Sequence, residues 1–265
     1  SLVLVRGTDA GVGSMAYDAS CLWCLGYPVR AAKRSRQALT LARRLDHPFS
    51  LADVVCFGGC VLNQMRRDPA ALKEDAEELI RLSKALGFSS FLGAGICYWG
   101  EALAQLGQLE EGIEQMRRGM AEMRAMGGRC YASGTLGALA EAQATSGQPE
   151  EGLVTLAEAL TMVEETEERY YEAELRRLRG ELLLAQGGET DAELSFCEAI
   201  GVARRQSARS WELRATVSLC RLWQKQGRRE EARQCLAEIY GWFTEGSETP
   251  DLREARALLK ELKQT

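Results

Sequence analysis

Four glycines, Gly107, Gly147, Gly187 and Gly227, stand 40 residues apart each time. Two further columns keep the same step. One is Gly100, Ala140, Gly180 and Cys220; the other is Gly112, Gly152, Ala192 and Ala232. Small residues at a fixed period mean a repeat array, in which each unit buries its apolar face against the next. That decides the fold class and moves the functional expectation from catalysis towards binding.

Each unit reads as two helices joined by a short turn. The run from Ser89 to Leu106 is helical by period, Gly107-Gln108-Leu109 makes the turn, and Glu110 to Met126 is the second helix. The turn needs a residue that tolerates φ > 0 at the helix C-terminus, hence glycine. Acidic residues follow at Glu110/Glu111, Glu150/Glu151, Asp191 and Glu230/Glu231, in the first turn of the second helix, where the macrodipole favours negative charge. The small columns sit on the two helices of each hairpin and let them approach closely. Earlier in the chain, Gly26 opens the turn Leu25-Gly26-Tyr27-Pro28, with Ala31 in the small position after it. Forty residues on, Arg66-Arg67-Asp68-Pro69 makes the turn without a glycine, and its proline suits the first turn of a helix.

The expected fold is therefore all-α: a right-handed α-α superhelix of six helical hairpins with a C-terminal capping helix, forming a single solenoid over 1–265. A lead-in segment covers 1–11. The hairpins run over about 12–47, 48–87, 88–127, 128–167, 168–207 and 208–245, the second being degenerate. After the break Glu245 to Pro250, a terminal helix over about 251–262 is expected to cover the open apolar end of the stack.

Composition bounds the function. The chain is 46% hydrophobic and 27% charged, the profile of a folded protein rather than a disordered one. A net charge of −5 disfavours generic nucleic-acid binding through a strongly basic surface. No apolar run approaches the ~20 residues of a membrane span. The chain opens at Ser1 without a basic segment followed by an apolar one, and is expected to be a fragment of a longer cytoplasmic protein. Its nine cysteines lie mostly inside helical patterns, on positions a small apolar residue could fill. The odd number points to reduced thiols in a cytosol.

In the fifth unit, Gly180, Leu183, Gly187, Ala192, Phe196 and Ala199 keep the order small, large, turn glycine, small, aromatic, small. That order resembles the tetratricopeptide repeat (TPR), lengthened by about six residues over the usual period of about 34. Long-period repeats of this kind resemble the C-terminal regions of large bacterial signalling ATPases, often encoded with an N-terminal adenylate/guanylate cyclase or DNA-binding domain. Three stretches carry the closer resemblance: Leu25-Gly26-Tyr27-Pro28 through His47-Pro48-Phe49-Ser50, Tyr171-Glu172-Ala173-Glu174-Leu175 to Gly180-Glu181-Leu182-Leu183-Leu184, and Tyr240 to Leu252. The resemblance implies a non-catalytic interaction or sensor module, the regulatory tail of a signalling ATPase or cyclase, without a cofactor. Its expected partner is a protein or peptide, or the upstream domains of the parent chain; a small-molecule effector in the concave groove is the alternative.

Several motifs are weighed against plainer roles. Gly11-x-Gly13-x-x-Ala16 after Leu2-Val3-Leu4-Val5 matches a loose dinucleotide pattern, but a helix and a repeat turn follow where a second strand and a ribose-binding acid would be needed. Asp9 or Ser14 capping the first helix is the better reading. Cys21-x-x-Cys24 and Cys56-x-x-x-Cys60 could converge on zinc, yet their apolar neighbours favour core-filling thiols, and no metal site is expected. His47, the only histidine, is expected to cap a helix end. The most suggestive polar feature is the 40-residue column Glu101, Glu141, Glu181 and Arg221 on the first helices. Such a column tends to face the groove, and its carboxylates favour a basic peptide or a cationic small molecule. Arg177, four residues before Glu181, is placed to pair with it. Tyr98, Tyr131, Tyr170, Tyr171 and Trp211, near the helix starts, are either groove anchors or spacers between units. The groove candidates are therefore Tyr98, Glu101, Glu141, Arg177, Glu181, Arg221 and Trp211. Arg176, Arg177, Arg179, Arg204, Arg205 and Arg209 are read as a solvated face balanced by Glu172, Glu174 and Glu181.

Overall fold

The computed structural model describes residues 7–125 and 132–264. These residues form helices joined by short turns, and no strand occurs among them. In chain order the helices are α1 (Ala10–Cys24), α2 (Pro28–Arg44), α3 (Pro48–Val54), α4 (Val61–Met65), α5 (Pro69–Leu86), α6 (Ser89–Gln105) and α7 (Leu109–Ala125). They continue with α8 (Ala132–Thr145), α9 (Pro149–Thr166), α10 (Glu172–Ala185), α11 (Glu189–Arg205), α12 (Arg209–Lys225), α13 (Arg229–Trp242) and α14 (Pro250–Lys263). A π-helical turn, Val55–Cys60, joins α3 to α4. The strand-like run Leu2 to Val5, like Tyr131, lies outside the described residues.

The fold is an α-helical array of TPR type. Two compact units divide it, the first holding residues 7–23 and Pro28–Ala142, the second Cys24–Tyr27 and Gln143 onward. Within each, antiparallel hairpins stack on their neighbours.

The turn glycines do what the repeat step requires. Gly107, Gly147, Gly187 and Gly227 all sit at φ between 81° and 94°, a region L side chains enter at a cost of roughly 1–2 kcal/mol. Each turn closes with the same pair of backbone hydrogen bonds. Gln108 N–H donates to Leu103 O at 2.9 Å and Gly107 N–H to Ala104 O at 3.1 Å; Arg228 and Gly227 repeat this with Trp223 and Gln224. The degenerate second hairpin keeps that geometry with Arg67 in the glycine's place, at φ 53°. Asp68 then caps α5 by accepting from Ala71 N–H at 3.2 Å, and Pro69 opens it.

Arg67 stands 40 residues before Gly107 but 41 after Gly26. The extra residue is absorbed in the π-helical turn, where the backbone ladder slips by one place. The Gly58 carbonyl there accepts from Ser35 Oγ–H at 2.6 Å, so the slip leaves no buried orphan at that point.

The small columns set the spacing inside a hairpin. A Cβ on Gly112 would lie 2.5 Å from the Gly100 carbonyl oxygen, and one on Gly119 2.6 Å from the Gly93 carbonyl oxygen. At these points α6 and α7 meet backbone to backbone. In the second unit, Phe196 fills a core with Ala192, Ala199, Ala215, Leu219 and Leu222. The terminal helix α14 lays Leu252, Ala255, Leu258 and Leu262 over Leu213, Val217, Leu236 and Ile239, and so covers the apolar face of the last hairpin. Among the described residues, no helix is long and apolar enough to cross a membrane.

Candidate functional site

Polar side chains bridge the first helices of successive hairpins, and they do so at separations of 37 to 41 residues. That register follows from the repeat: a residue on one first helix faces its equivalent, or one a turn away, on the next.

In the first unit, Gln64 on α4 donates from Nε2 to Glu101 Oε2 on α6 at 2.6 Å. Gln105 Nε2 donates to the other oxygen at 3.1 Å. Glu101 is only 3% exposed. Burial pushes its carboxyl up to about 8; the Gln64 and Gln105 hydrogen bonds pull it back, and the Glu141 charge adds to the push. An acid whose folded pKa lies above its unfolded one contributes stability below pH ~4.5 that is lost as pH rises through about 8. Glu101→Gln should therefore match the native chain in thermal melting at pH 4 and exceed it at pH 9, by roughly 3–5 kcal/mol. A variant less stable at pH 9 would show that the ionised carboxylate stabilises the fold. Asp53 and Asp75, both pushed by burial to about 6, titrate equally in both proteins and cancel in the comparison.

The second unit carries a buried ion network. Arg177 on α10 donates to both oxygens of Glu174, at 2.8 and 2.9 Å. Arg214 on α12 donates to Glu174 at 3.2 Å and to both oxygens of Asp251 at the start of α14, at 2.7 and 3.1 Å. Arg177 also reaches Glu181 at 3.1 Å, and Ser218 Oγ–H donates to the same carboxylate at 2.6 Å. Glu174, Arg177 and Arg214 are 4 to 5% exposed. The Asp251 and Glu174 charges hold the Arg214 guanidinium protonated against the desolvation it suffers.

The candidates named from sequence thus separate. Glu101 and Arg177 are interior. Tyr98 and Trp211, expected as groove anchors, are 2% and 1% exposed, and this corrects that expectation. Trp211 is wedged between hairpins: its Nε1–H donates to Tyr170 O at 3.1 Å, its ring lies 5.1 Å from that of Tyr171, and Arg214 stacks 4.8 Å over it. The Trp211 ring closes this seam between hairpins, the spacer role open to it from the start. Glu141 is exposed on α8 in the first unit. In the second, Glu181 is half-buried with Arg177 and Ser218, and Arg221 is exposed and paired with Glu254 at 2.9 Å. Sequence reasoning missed Arg214 and Asp251, and placed Glu174 on a solvated face where it is buried. Their one visible signal was the opposite charge of Glu174 and Arg214 at the repeat step.

The remaining motifs take plain roles. Asp9 Oδ1 accepts from Gly11 and Val12 N–H at 2.9 and 3.2 Å, so the amides a phosphate would use at α1 are held by the chain's own carboxylate. His47 caps α3, with Nδ1 accepting from Ser50 N–H at 3.2 Å. Cys21 is exposed while Cys56 and Cys60 are buried, and no group of three or more metal-ligating side chains converges among the described residues. Arg176 pairs with Glu172 at 2.9 Å and with Glu198 at 2.8 Å, but Arg177, Glu172 and Glu174 are only 4 to 5% exposed, which corrects the reading of these charges as one solvated face. A cleft of about 230 Å³ opens beside the start of α1, lined by Thr8, Asp9, Gly13, Ser14, Tyr17 and Asp53.

Neither family models nor curated proteins match the sequence. Solved structures do match its fold. A Pyrococcus horikoshii signal-transduction ATPase with numerous domains, which has a tetratricopeptide repeat sensor, superposes with a TM-score of 0.64 at 14% identity, over 88% of this chain and 34% of that one. PlcR of Bacillus thuringiensis, in complex with the peptide PapR7 and DNA, gives 0.62 at 12% identity, over 78% of this chain and 72% of that one. The apo form of RapI gives 0.61 at 13% identity, over 97% and 88%. The class these define is the TPR-like α-solenoid.

Proposed function

We propose that the chain is a non-catalytic interaction module, the sensor region of a larger signalling ATPase or cyclase. The observation that carries this reading is its coverage of the Pyrococcus horikoshii protein: 88% of this chain aligns with only 34% of a signalling ATPase described as bearing a TPR sensor. PlcR adds a second case of a similar fold, seen with a peptide bound. The exposed charges of the first helices favour a peptide or protein partner with basic residues, and the net charge of −5 argues against DNA.

The mechanism is recognition that biases upstream domains: a ligand shifts their equilibrium only by binding one arrangement better than the other. The buried networks beneath the surface, Gln64–Glu101 in the first unit and Glu174–Arg177–Arg214–Asp251 in the second, hold the first helices in register and pre-form whatever surface the partner meets. The cleft beside α1 favours a second reading, a small-molecule effector.

Native mass spectrometry on freshly made protein separates the two. A bare chain that then captures members of a basic synthetic peptide library supports the peptide reading, and a stoichiometric small-molecule adduct supports the other. Under the peptide reading, Glu141→Lys should weaken capture about tenfold, roughly the 1.4 kcal/mol of one lost charge interaction, without unfolding the chain at the assay temperature. Undiminished capture by Glu141→Lys would move the binding surface away from this column.

A further inference from the structure

The columns at the repeat step place cysteine twice in the last hairpin. Cys220 follows Gly100, Ala140 and Gly180 on the first helices; Cys235 follows Gln115, Thr155 and Ser195 on the second. These positions face one another. In the third hairpin, a Cβ built on Gly100 lies 3.0 Å from the Gln115 Cβ. A disulfide asks for Cβ atoms about 3.5–4.5 Å apart, so positions that approach this closely are the ones a bridge can join. In the last hairpin the same approach recurs: Cys220 Sγ lies 3.2 Å from the Ala232 carbonyl oxygen, where a Cβ on Gly100 would lie 2.7 Å from the Gly112 carbonyl oxygen, and this sets Cys220 against the turn of α13 that carries Cys235.

The two sulfurs differ in setting. Cys220 is fully buried on α12, and its S–H also reaches the Ala232 carbonyl at 3.2 Å. Cys235 on α13 is only partly buried. The neighbouring Cys220 thiol, foremost, and the Arg204 charge from α11 pull the Cys235 thiol below its ordinary value, against burial and the charges of Glu238 and Glu212. A reachable sulfur with thiolate character beside a shielded partner thiol is the arrangement of an attacking and a resolving cysteine.

We propose that Cys235 and Cys220 form an oxidisable dithiol, a modification site in which a hydroperoxide attacks at Cys235 and Cys220 resolves the product into a bridge stapling α12 to α13. The Cys235 thiolate attacks the peroxide oxygen; an S–O bond forms, the O–O bond breaks, and the leaving oxygen takes a proton to become water or an alcohol. The Cys220 sulfur then attacks Cys235 Sγ. The S–S bond forms, the S–O bond breaks, and hydroxide departs as water with the Cys220 proton. Two sulfurs are oxidised by one electron each and one peroxide is reduced. The proposal is independent of the partner reading above.

The test is peptide mapping of the reduced full chain after a small excess of hydrogen peroxide, digested with trypsin without reductant. The expected product joins the peptide Ala215–Arg221 to the peptide Gln234–Arg253, with a loss of two free thiols per chain, while the exposed Cys197 stays open to alkylation. Cys220→Ala should stall Cys235 at the sulfenic acid, captured by a 1,3-diketone probe, and Cys235→Ser should abolish the loss of the thiol pair. The proposal is overturned if no thiol is lost, if Cys235 joins Cys197 instead, or if Cys235 goes to sulfinic acid while Cys220 remains alkylatable after unfolding. The map of the unsubstituted chain decides the question even where a variant fails to fold.

Discussion

Gly180→Leu lowers the stability of the second unit by about 3 kcal/mol, the upper end of the cost of overfilling a close-packed contact. A Cβ at Gly180 already stands 2.6 Å from Phe196 Cδ1, well inside van der Waals contact. The ring cannot swing away, because Phe196 is fully buried among Ala192, Ala199, Ala215 and Leu222. The remaining response is to separate α10 from α11, which opens voids along the whole contact. At ~2–4 °C per kcal/mol for a chain of this size, the melting temperature should fall by about 10 °C. Gly187→Ala is the internal comparison. Its φ of 83° strains any side chain, but no atom lies within 4 Å of the added Cβ, so the loss should stay near 1 kcal/mol. Equal effects at the two positions would mean that backbone conformation alone, rather than close helix approach, explains the small column.

That contrast shows what the sequence made legible. The turn glycines and the small columns are local demands, a left-handed φ or a missing side chain, and they recur because every hairpin has the same geometry. The helix pairs and the covering of the last hairpin by Leu252, Ala255, Leu258 and Leu262 follow from them. The second hairpin was harder to read for two reasons. Arg67 adopts the glycine's conformation at an energetic cost, and the π-helical turn shifts the frame by one residue.

The candidate site was less legible because it depends on orientation. A 40-residue column places residues on equivalent points of successive helices, but the side chains that meet across the seam are offset by up to a turn, as Gln64 and Glu101 or Ser218 and Glu181 are, 37 residues apart. Members of one column can therefore differ in burial. Glu101 is enclosed by Gln64 and Gln105, whereas Glu141 faces outward. Trp211 and Tyr98 read equally well as anchors or spacers, since an aromatic at a helix start satisfies either pattern, and only the packed seam decides.

Arg214→Met should cost more than any other change considered, about 3–5 kcal/mol, the usual consequence of removing one partner from a buried charge cluster. Methionine restores most of the volume, so the loss is electrostatic rather than a cavity. Two carboxylates depend on this guanidinium. Asp251 receives both of its hydrogen bonds to Arg214 at the first turn of α14, and Glu174 shares Arg214 with Arg177. With Arg214 gone, Glu174 keeps the two donors of Arg177, but Asp251 loses the cation that compensates its burial. The failure should therefore begin at α14, whose apolar face then comes away from Leu213, Leu236 and Ile239. Hydrogen exchange would show this as early loss of protection over Pro250–Lys263, ahead of α10 and α11. Arg214→Met combined with Asp251→Asn should recover part of the loss at neutral pH, because the carboxylate that lost this guanidinium is then removed with it. No recovery in the double variant would place the role of Arg214 in its stacking over Trp211, 4.8 Å from the ring, rather than in the ion pair that ties the last helix to the array.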